Sequence, residues 1–369
     1  MKIRILGQSN NCGGGIHYRN FLNEFRKIYL LNKSVEQVDL TNKIEVLKAS
    51  KSSNVNDINI WFWQDPQIEL FKGANIVWAI FESNVLPRAY IDFLKDKLIW
   101  TPSHWAKQIL VKHKIQADRI DVIPEGVDHS QFHPYIRETR SNLPSPLKIL
   151  MHGKFETRKG YDVLFDAYNE LSKKTPNCYR LLLKADFFAD EYFHHQKLLE
   201  EVSNRKLQDI KIYKGNWEAE HIIGLYHFSD VFVYPSRAEA WGLSLIEALA
   251  CGLPTLTTYY SGHTEYLKDV KDLVTIVDHE EEPNNCELYE KYWGKADTLM
   301  GNGSWAKADT KSLTEKIIKL KNNYAEMSEK ALVASLIIRN NFSWQKSIEK
   351  AINALKERNL LRLKYSIQG

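Results

Sequence analysis

Short apolar runs, each closed by turn residues, recur along the first third of the chain: KIRILG from Lys2, DINIWFWQ from Asp57, ANIVWAIFE from Ala74, KLIWTPS from Lys97 and RIDVIPEGVD from Arg119. Such runs, rich in β-branched and aromatic residues, suit strands covered on both faces, as in a parallel sheet. Between some of them apolar positions fall at helical spacing, in HYRNFLNEFRKIYLL from His17 and SHWAKQILVKH from Ser103. The pattern restarts after HPYIRETRSNLPSPL, a polar, proline-bearing stretch that reads as a linker. Beyond it KILMHGKF, YRLLLKADFF, DIKIYKGN, DVFVYPS and PTLTTYY read as strands, and GYDVLFDAYNELSKK, AEHIIGLYHF and SLIEALACG as helices. The predicted fold is α/β: two doubly wound, Rossmann-like domains facing a cleft. Ligands in such sheets bind beyond the carboxyl ends of the strands, so chemistry is expected in the loops that follow them.

Composition narrows the class. At 369 residues the chain exceeds one hydrophobic core, and 44% apolar with 26% charged residues excludes a disordered polypeptide. The net charge of +4 is too weak to argue for nucleic acid, but its placement is uneven. The stretch from 346 to 369 holds Lys346, Lys350, Lys356, Arg358, Arg362 and Lys364 against Glu349 and Glu357. Ile348, Ile352 and Leu355 there follow helical spacing, Asn359 interrupts it, and Leu360, Leu361 and Leu363 resume it, which predicts an amphipathic helix with one interruption. Either its basic face is merely solvated, or it attaches the protein to an anionic membrane. Cys12, Cys178, Cys251 and Cys286 show no metal-site spacing and read as reduced thiols. MKIRILGQSN lacks the pattern of a signal peptide, and no apolar run nears the roughly 20 residues that span a bilayer, so a cytoplasmic protein is expected, peripheral at the membrane if the tail binds it.

Three strand-to-helix loops carry candidate chemistry. In GQSNNCGGGIHYRNFL, Gly13, Gly14 and Gly15 would let backbone N–H groups approach an anion beside a helix start, in a spacing unlike the dinucleotide fingerprint. In MHGKFETRKGYDVL, Lys154 and Lys159, with Arg158 as a third cation, could neutralise a departing phosphate. The third loop, SRAEAWGLSLIEALACGLP, carries Glu239 and Glu247. On one continuous helix they would stand about 80° apart and could form an acid and base pair. Gly242 breaks the pattern between them, however, which leaves Glu239 on a loop, Glu247 in the second turn of a helix, and the N–H groups of Leu243 and Ser244 facing an anion.

Taken in order, these loops resemble those of the family 4 retaining glycosyltransferases, GT-B enzymes with nucleotide-sugar donors. The likeness extends to VIPEGVDHSQFHP at the domain junction, YYSGHTEYL, and NNFSWQKSIEKAINAL, which is similar to the terminal helices that cross back onto the N-terminal domain. It implies an acceptor-side domain over 1–140, a nucleotide-sugar domain over 141–345 and a basic helix over 346–369 that packs on the first domain. By the same likeness Glu239 contacts the transferred sugar and Glu247 the ribose. Lys154 and Lys159 face the diphosphate, with lysine where the family usually has arginine at the first position. Gly14 and Gly15 close over the donor. Glu82 stands where many members have a histidine near the sugar. Ser103 and His104 sit at a strand end expected to face the cleft, His263 and Glu265 match a donor-side loop, and the base would be met by backbone near Tyr213 to Trp217.

The implied reaction moves a hexose from a UDP- or GDP-sugar to a glycan or lipid-linked glycan, as in polysaccharide or lipopolysaccharide synthesis, with no cofactor beyond the donor. No D-x-D motif occurs in the sequence, so Lys154, Lys159 and the helix start at Leu243 are expected to serve in place of a metal. A sugar transferase acting on DNA and a non-enzymic nucleotide-sugar-binding protein are the alternatives.

Overall fold

The computed structural model describes residues 1–10, 13–28, 34–62, 70–134, 145–186, 191–215, 217–284 and 303–361. Six parallel strands form the first sheet: β1 (Ile3–Gly7), β2 (Val35–Asp39), β3 (Ile58–Trp61), β4 (Ala74–Trp78), β5 (Leu98–Thr101) and β6 (Ile120–Val122), in the order β2-β1-β3-β4-β5-β6. The second sheet is also parallel and contains β7 (Leu147–Lys154), β8 (Tyr179–Asp186), β9 (Ile210–Tyr213), β10 (Val231–Tyr234), β11 (Thr255–Thr257) and β12 (Thr275–Ile276), in the order β12-β11-β10-β7-β8-β9. The alternation read from the sequence is therefore borne out. Strand β2 escaped it because VEQVD is an edge strand with little burial. The helix Lys43–Lys51 escaped it because Ala49 is its one buried residue; its start is marked instead by Asn42, whose side chain accepts from the N–H groups of Ile44 and Glu45.

Strand order locates the cleft. In the first sheet the order reverses between β1 and β3, and in the second between β7 and β10. These reversals are where loops diverge to opposite faces and leave a crevice. The loop after β1 leads into the helix Gly13–Lys27, that after β7 into Tyr161–Lys174, and that after β10 into Leu243–Ala250. An antiparallel hairpin, β13 (His279–Pro283) with β14 (Ser304–Ala308), adds a feature that its charged sequence HEEEP did not announce.

The chain returns to the first domain near its end. Val127 N–H donates to Phe342 O at 2.8 Å, and the helix Trp344–Glu357 buries Ile348, Ala351, Ile352 and Leu355 with Tyr18, Phe21 and Trp78. The backbones meet so closely that a Cβ on Gly126 would lie 2.3 Å from Trp344 N. Gly126→Ala is expected to displace this helix and lower Tm by several degrees; an unchanged melting curve and unchanged protease resistance around 344 would contradict it.

Two expectations for the tail change. The interrupted helix is in fact a helix end: after Glu357 the chain turns at Asn359 (φ 56°), and Leu360 N–H reaches back to Leu355 O at 2.9 Å. A left-handed residue at this place ends a helix by capping its last carbonyls. Arg358 is not simply solvated, since its guanidinium grips both oxygens of Asp121 and the Asp118 carbonyl. Arg362, Leu363 and Lys364 lie outside the described residues. Among the described residues, no helix is long and apolar enough to cross a membrane.

Candidate active site

The cleft between the sheets gathers Gly13, Gly14, Glu82, Lys154, Lys159, Glu239, Gly242, Leu243, Ser244 and Glu247 along its walls. Gly242 creates the geometry of the third loop. It adopts φ 91°, a left-handed conformation open to glycine at little cost, and caps the helix Leu243–Ala250. Glu239 thus stays on the loop while Glu247 projects from the second helical turn, and the helix start lies between them.

Glu239 is the centre of a buried ion cluster. Its Oε1 accepts from Lys159 Nζ at 2.7 Å and Ser236 Oγ at 2.5 Å, and lies 3.0 Å from Arg158 Nη1. Lys159 also donates to the Tyr234 hydroxyl at 2.8 Å. Burial by itself would raise the Glu239 carboxyl, but the charges of Arg158 and Lys159 outweigh it and hold the group far below the ordinary carboxylate range. Arg158 also bonds Glu156 at 2.5 Å and approaches Glu82 to 3.6 Å across the domain boundary. Lys159 and Arg158 are thus not bare cations at the cleft mouth, as the sequence suggested; both are buried and shared among carboxylates.

Glu82 is itself fixed from the second domain. Its carbonyl accepts from Trp305 Nε1 at 2.8 Å, and Asn84 Oδ1 receives Ser304 N–H at 2.8 Å, so the unforeseen hairpin docks on this loop. Burial, opposed by Arg158, raises the Glu82 carboxyl.

Glu247 occupies a different environment. Its Oε2 meets the Tyr226 hydroxyl at 3.1 Å, and among the described residues no cation hydrogen-bonds to it. Burial pushes its pKa up to about 8, against the Tyr226 bond and with help from the charge of Asp186. The folded protein then keeps a proton that the unfolded chain releases above the ordinary value of 4.5. The stability that Glu247 contributes therefore falls as pH rises from 4.5 to about 8. Glu247→Gln is expected to melt higher than the parent, by a margin that widens across this window and levels off above it; a margin independent of pH would refute the assignment.

Other expected positions land elsewhere. Gly15 does not line the cleft: a Cβ there would strike Asn10, so it serves the turn and not the ligand wall. Ser103 caps the helix His104–Lys112 by accepting from Ala106 N–H. His104 is bound through its N–H and ring to Glu265, tying the domains together outside the cleft. His263 is buried behind the third loop, with its Nε2 on Thr258 O at 2.9 Å. Trp217 borders an adjoining recess with Lys184, Asp186, His152 and Glu247, into which Arg19 and Asp128 reach from the first domain; Tyr213 is not part of its lining and packs edge-on against the Trp217 ring.

Some cleft residues were not singled out from sequence. Glu125, inside the quoted VIPEGVD run, is buried with a pKa raised by that burial to about 8, and sits 3.5 Å from the equally buried His17. His152, Asp186 and Tyr226 surround Glu247. Each lies in or beside a run that reads as strand or helix, and only the fold brings them together.

Comparison with known proteins agrees with this architecture. A glycosyltransferase from Rickettsia africae superposes with a TM-score of 0.67 at 20% identity over 96% of this chain and 98% of that one. HepE from Anabaena, solved with UDP and glucose, also gives 0.67, at 14% identity over 97% of this chain and 100% of its own. The fold is therefore GT-B. Residues 136–283, most of the chain's second domain, match the family described as glycosyl transferases group 1. Mannosylfructose-phosphate synthase of Agrobacterium fabrum is 29% identical over 174 residues, which make up 45% of this chain and 38% of that protein. The chain thus spans well under half the length of that curated relative.

Proposed function

We propose that the protein is a retaining glycosyltransferase that moves a hexose from a nucleoside diphosphate sugar to a hydroxyl of a glycan or lipid-linked glycan, without a metal ion. One observation carries the reading: the start of the Leu243–Ala250 helix lies between Glu239 and Glu247 and opens on the cleft opposite Gly13 and Gly14. A donor diphosphate would rest on this helix start, its sugar at Glu239 and its ribose at Glu247. Lys154, Lys159 and Arg158 would offset the charge that grows on the leaving diphosphate. UDP is the favoured nucleotide, since HepE was solved with it.

Glu239 and Glu247 suit this division better than a glycosidase pair, which needs both carboxyls at one bond. Glu239 is an ionised acceptor held by cations, whereas Glu247 meets a phenol.

A thermal-shift series with UDP, GDP and ADP, followed by their sugars, tests the donor assignment: one diphosphate should raise Tm by several degrees at millimolar concentration. With the selected donor, the anomeric configuration of the product, read by NMR, tests retention, and full turnover after chelation tests independence from metal. An inverted product would discard the retaining mechanism while leaving transfer intact.

A further inference from the structure

The polar groups behind Glu247 form a continuous chain. The Tyr226 hydroxyl lies 3.1 Å from Glu247 Oε2, 3.0 Å from Ser244 O and 2.9 Å from His152 Nδ1. On its other side the His152 ring presents Nε2 to Asp186 Oδ2 at 3.4 Å. Asp186 is bound by Lys184, which also donates to Gly215 O at 2.9 Å, in the loop after β9 that borders the adjoining recess. Side chains from β7, β8 and the helix Ala219–Phe228 thereby converge behind one carboxyl.

Tyr226 is fully buried, and its own helix faces β10 with Phe232 beside the ring, so its hydroxyl has no access to a ligand. It can influence a ligand only through groups that it touches, among them the Glu247 carboxyl on the cleft wall. A carboxyl that binds a vicinal diol must present both oxygens in one plane, and an unsupported glutamate would lose side-chain freedom on binding.

We propose that Tyr226 is a positioning residue for the nucleotide: its hydroxyl, braced by His152, holds the Glu247 carboxyl in the orientation that meets the two ribose hydroxyls. This rests on the ribose assignment of Glu247 in the proposed function. The same chain makes the loop at Gly215 and the carboxyl at Glu247 parts of one support, so the recess and the ribose site would be held in fixed relation.

Binding of UDP and GDP, and of their 2′,3′-dideoxy forms, to the intact protein tests the idea by calorimetry. For whichever diphosphate the parent binds more tightly, Tyr226→Phe should weaken binding about tenfold, the effect of one hydrogen bond to a buried group. It should leave the Kd of the dideoxy form within about twofold of the parent value, because the lost support concerns only the diol. His152→Phe should show the same ribose-dependent pattern with a smaller loss, and serves if Tyr226→Phe does not fold. In a Glu247→Gln background Tyr226→Phe should add nothing.

Equal weakening of both nucleotide forms by Tyr226→Phe, or no weakening of either, would overturn the positioning role. If Glu247→Gln itself binds both forms like the parent, or neither diphosphate binds the parent, the ribose assignment fails and takes this inference with it. Loss in Glu247→Gln with an unaffected Tyr226→Phe would reject the inference alone.

Discussion

Lys159→Ala is expected to lower turnover of the selected donor by on the order of 10² to 10³-fold, the usual cost of removing one preorganised charge or donor aimed at a developing anion. The residue does double duty in the structure. Its ammonium lies 2.7 Å from Glu239 and 2.8 Å from Tyr234, so it orients the proposed sugar-binding carboxylate as well as lining the cleft where the diphosphate is proposed to rest. Arg158 still stands 3.0 Å from Glu239 in its absence, which should keep the fold intact. Initial rates of nucleoside diphosphate release, with far-ultraviolet circular dichroism as the folding control, check both halves. Near-normal turnover in a folded variant would remove Lys159 from the mechanism.

Arg158→Met should have the largest effect on stability. The guanidinium serves Glu82, Glu156, Glu239 and the Ala238 carbonyl at once, and it is almost wholly buried. Withdrawing one member of a buried ionic cluster leaves uncompensated charge at a cost of about 3 to 5 kcal/mol. For a domain of this size that corresponds to a loss of roughly 10 °C in Tm. Acid response should change too. In the parent the depressed pKa of Glu239 contributes stability that is complete above the ordinary value of 4.5 and is lost only in strong acid. Without Arg158 the carboxyl should protonate nearer the ordinary range, so acid unfolding should begin at higher pH. A melting temperature within two degrees of the parent, or an unshifted acid transition, would show that Lys159 and Ser236 suffice to hold the cluster.

Much of the frame was legible in the chain. Buried parallel strands repeat as nearly unbroken apolar runs, and the loops after them carried glycine and charge where ligand sites belong. The edge strand β2 and the helix Lys43–Lys51 were illegible because each buries little, so neither leaves an apolar trace. Asn359 was visible as a polar break, but whether a break interrupts a helix or ends it depends on backbone dihedrals that residue identity alone leaves open.

The site divides along the same line. Gly242 separates Glu239 from Glu247 within one local segment, and that consequence follows from the sequence because a glycine in the left-handed region ends one conformation and begins another. The electrostatic character of the two glutamates does not follow. Glu239 is kept ionised by Arg158 and Lys159 from a loop some eighty residues away, and Glu247 is driven toward neutrality by burial, against the Tyr226 bond and with help from the charge of Asp186 on another element. Local chemistry is written in neighbouring residues. The balance of burial and charge that sets each carboxyl's state is a property of groups distant in the chain, and only the packing of the two sheets brings them within reach.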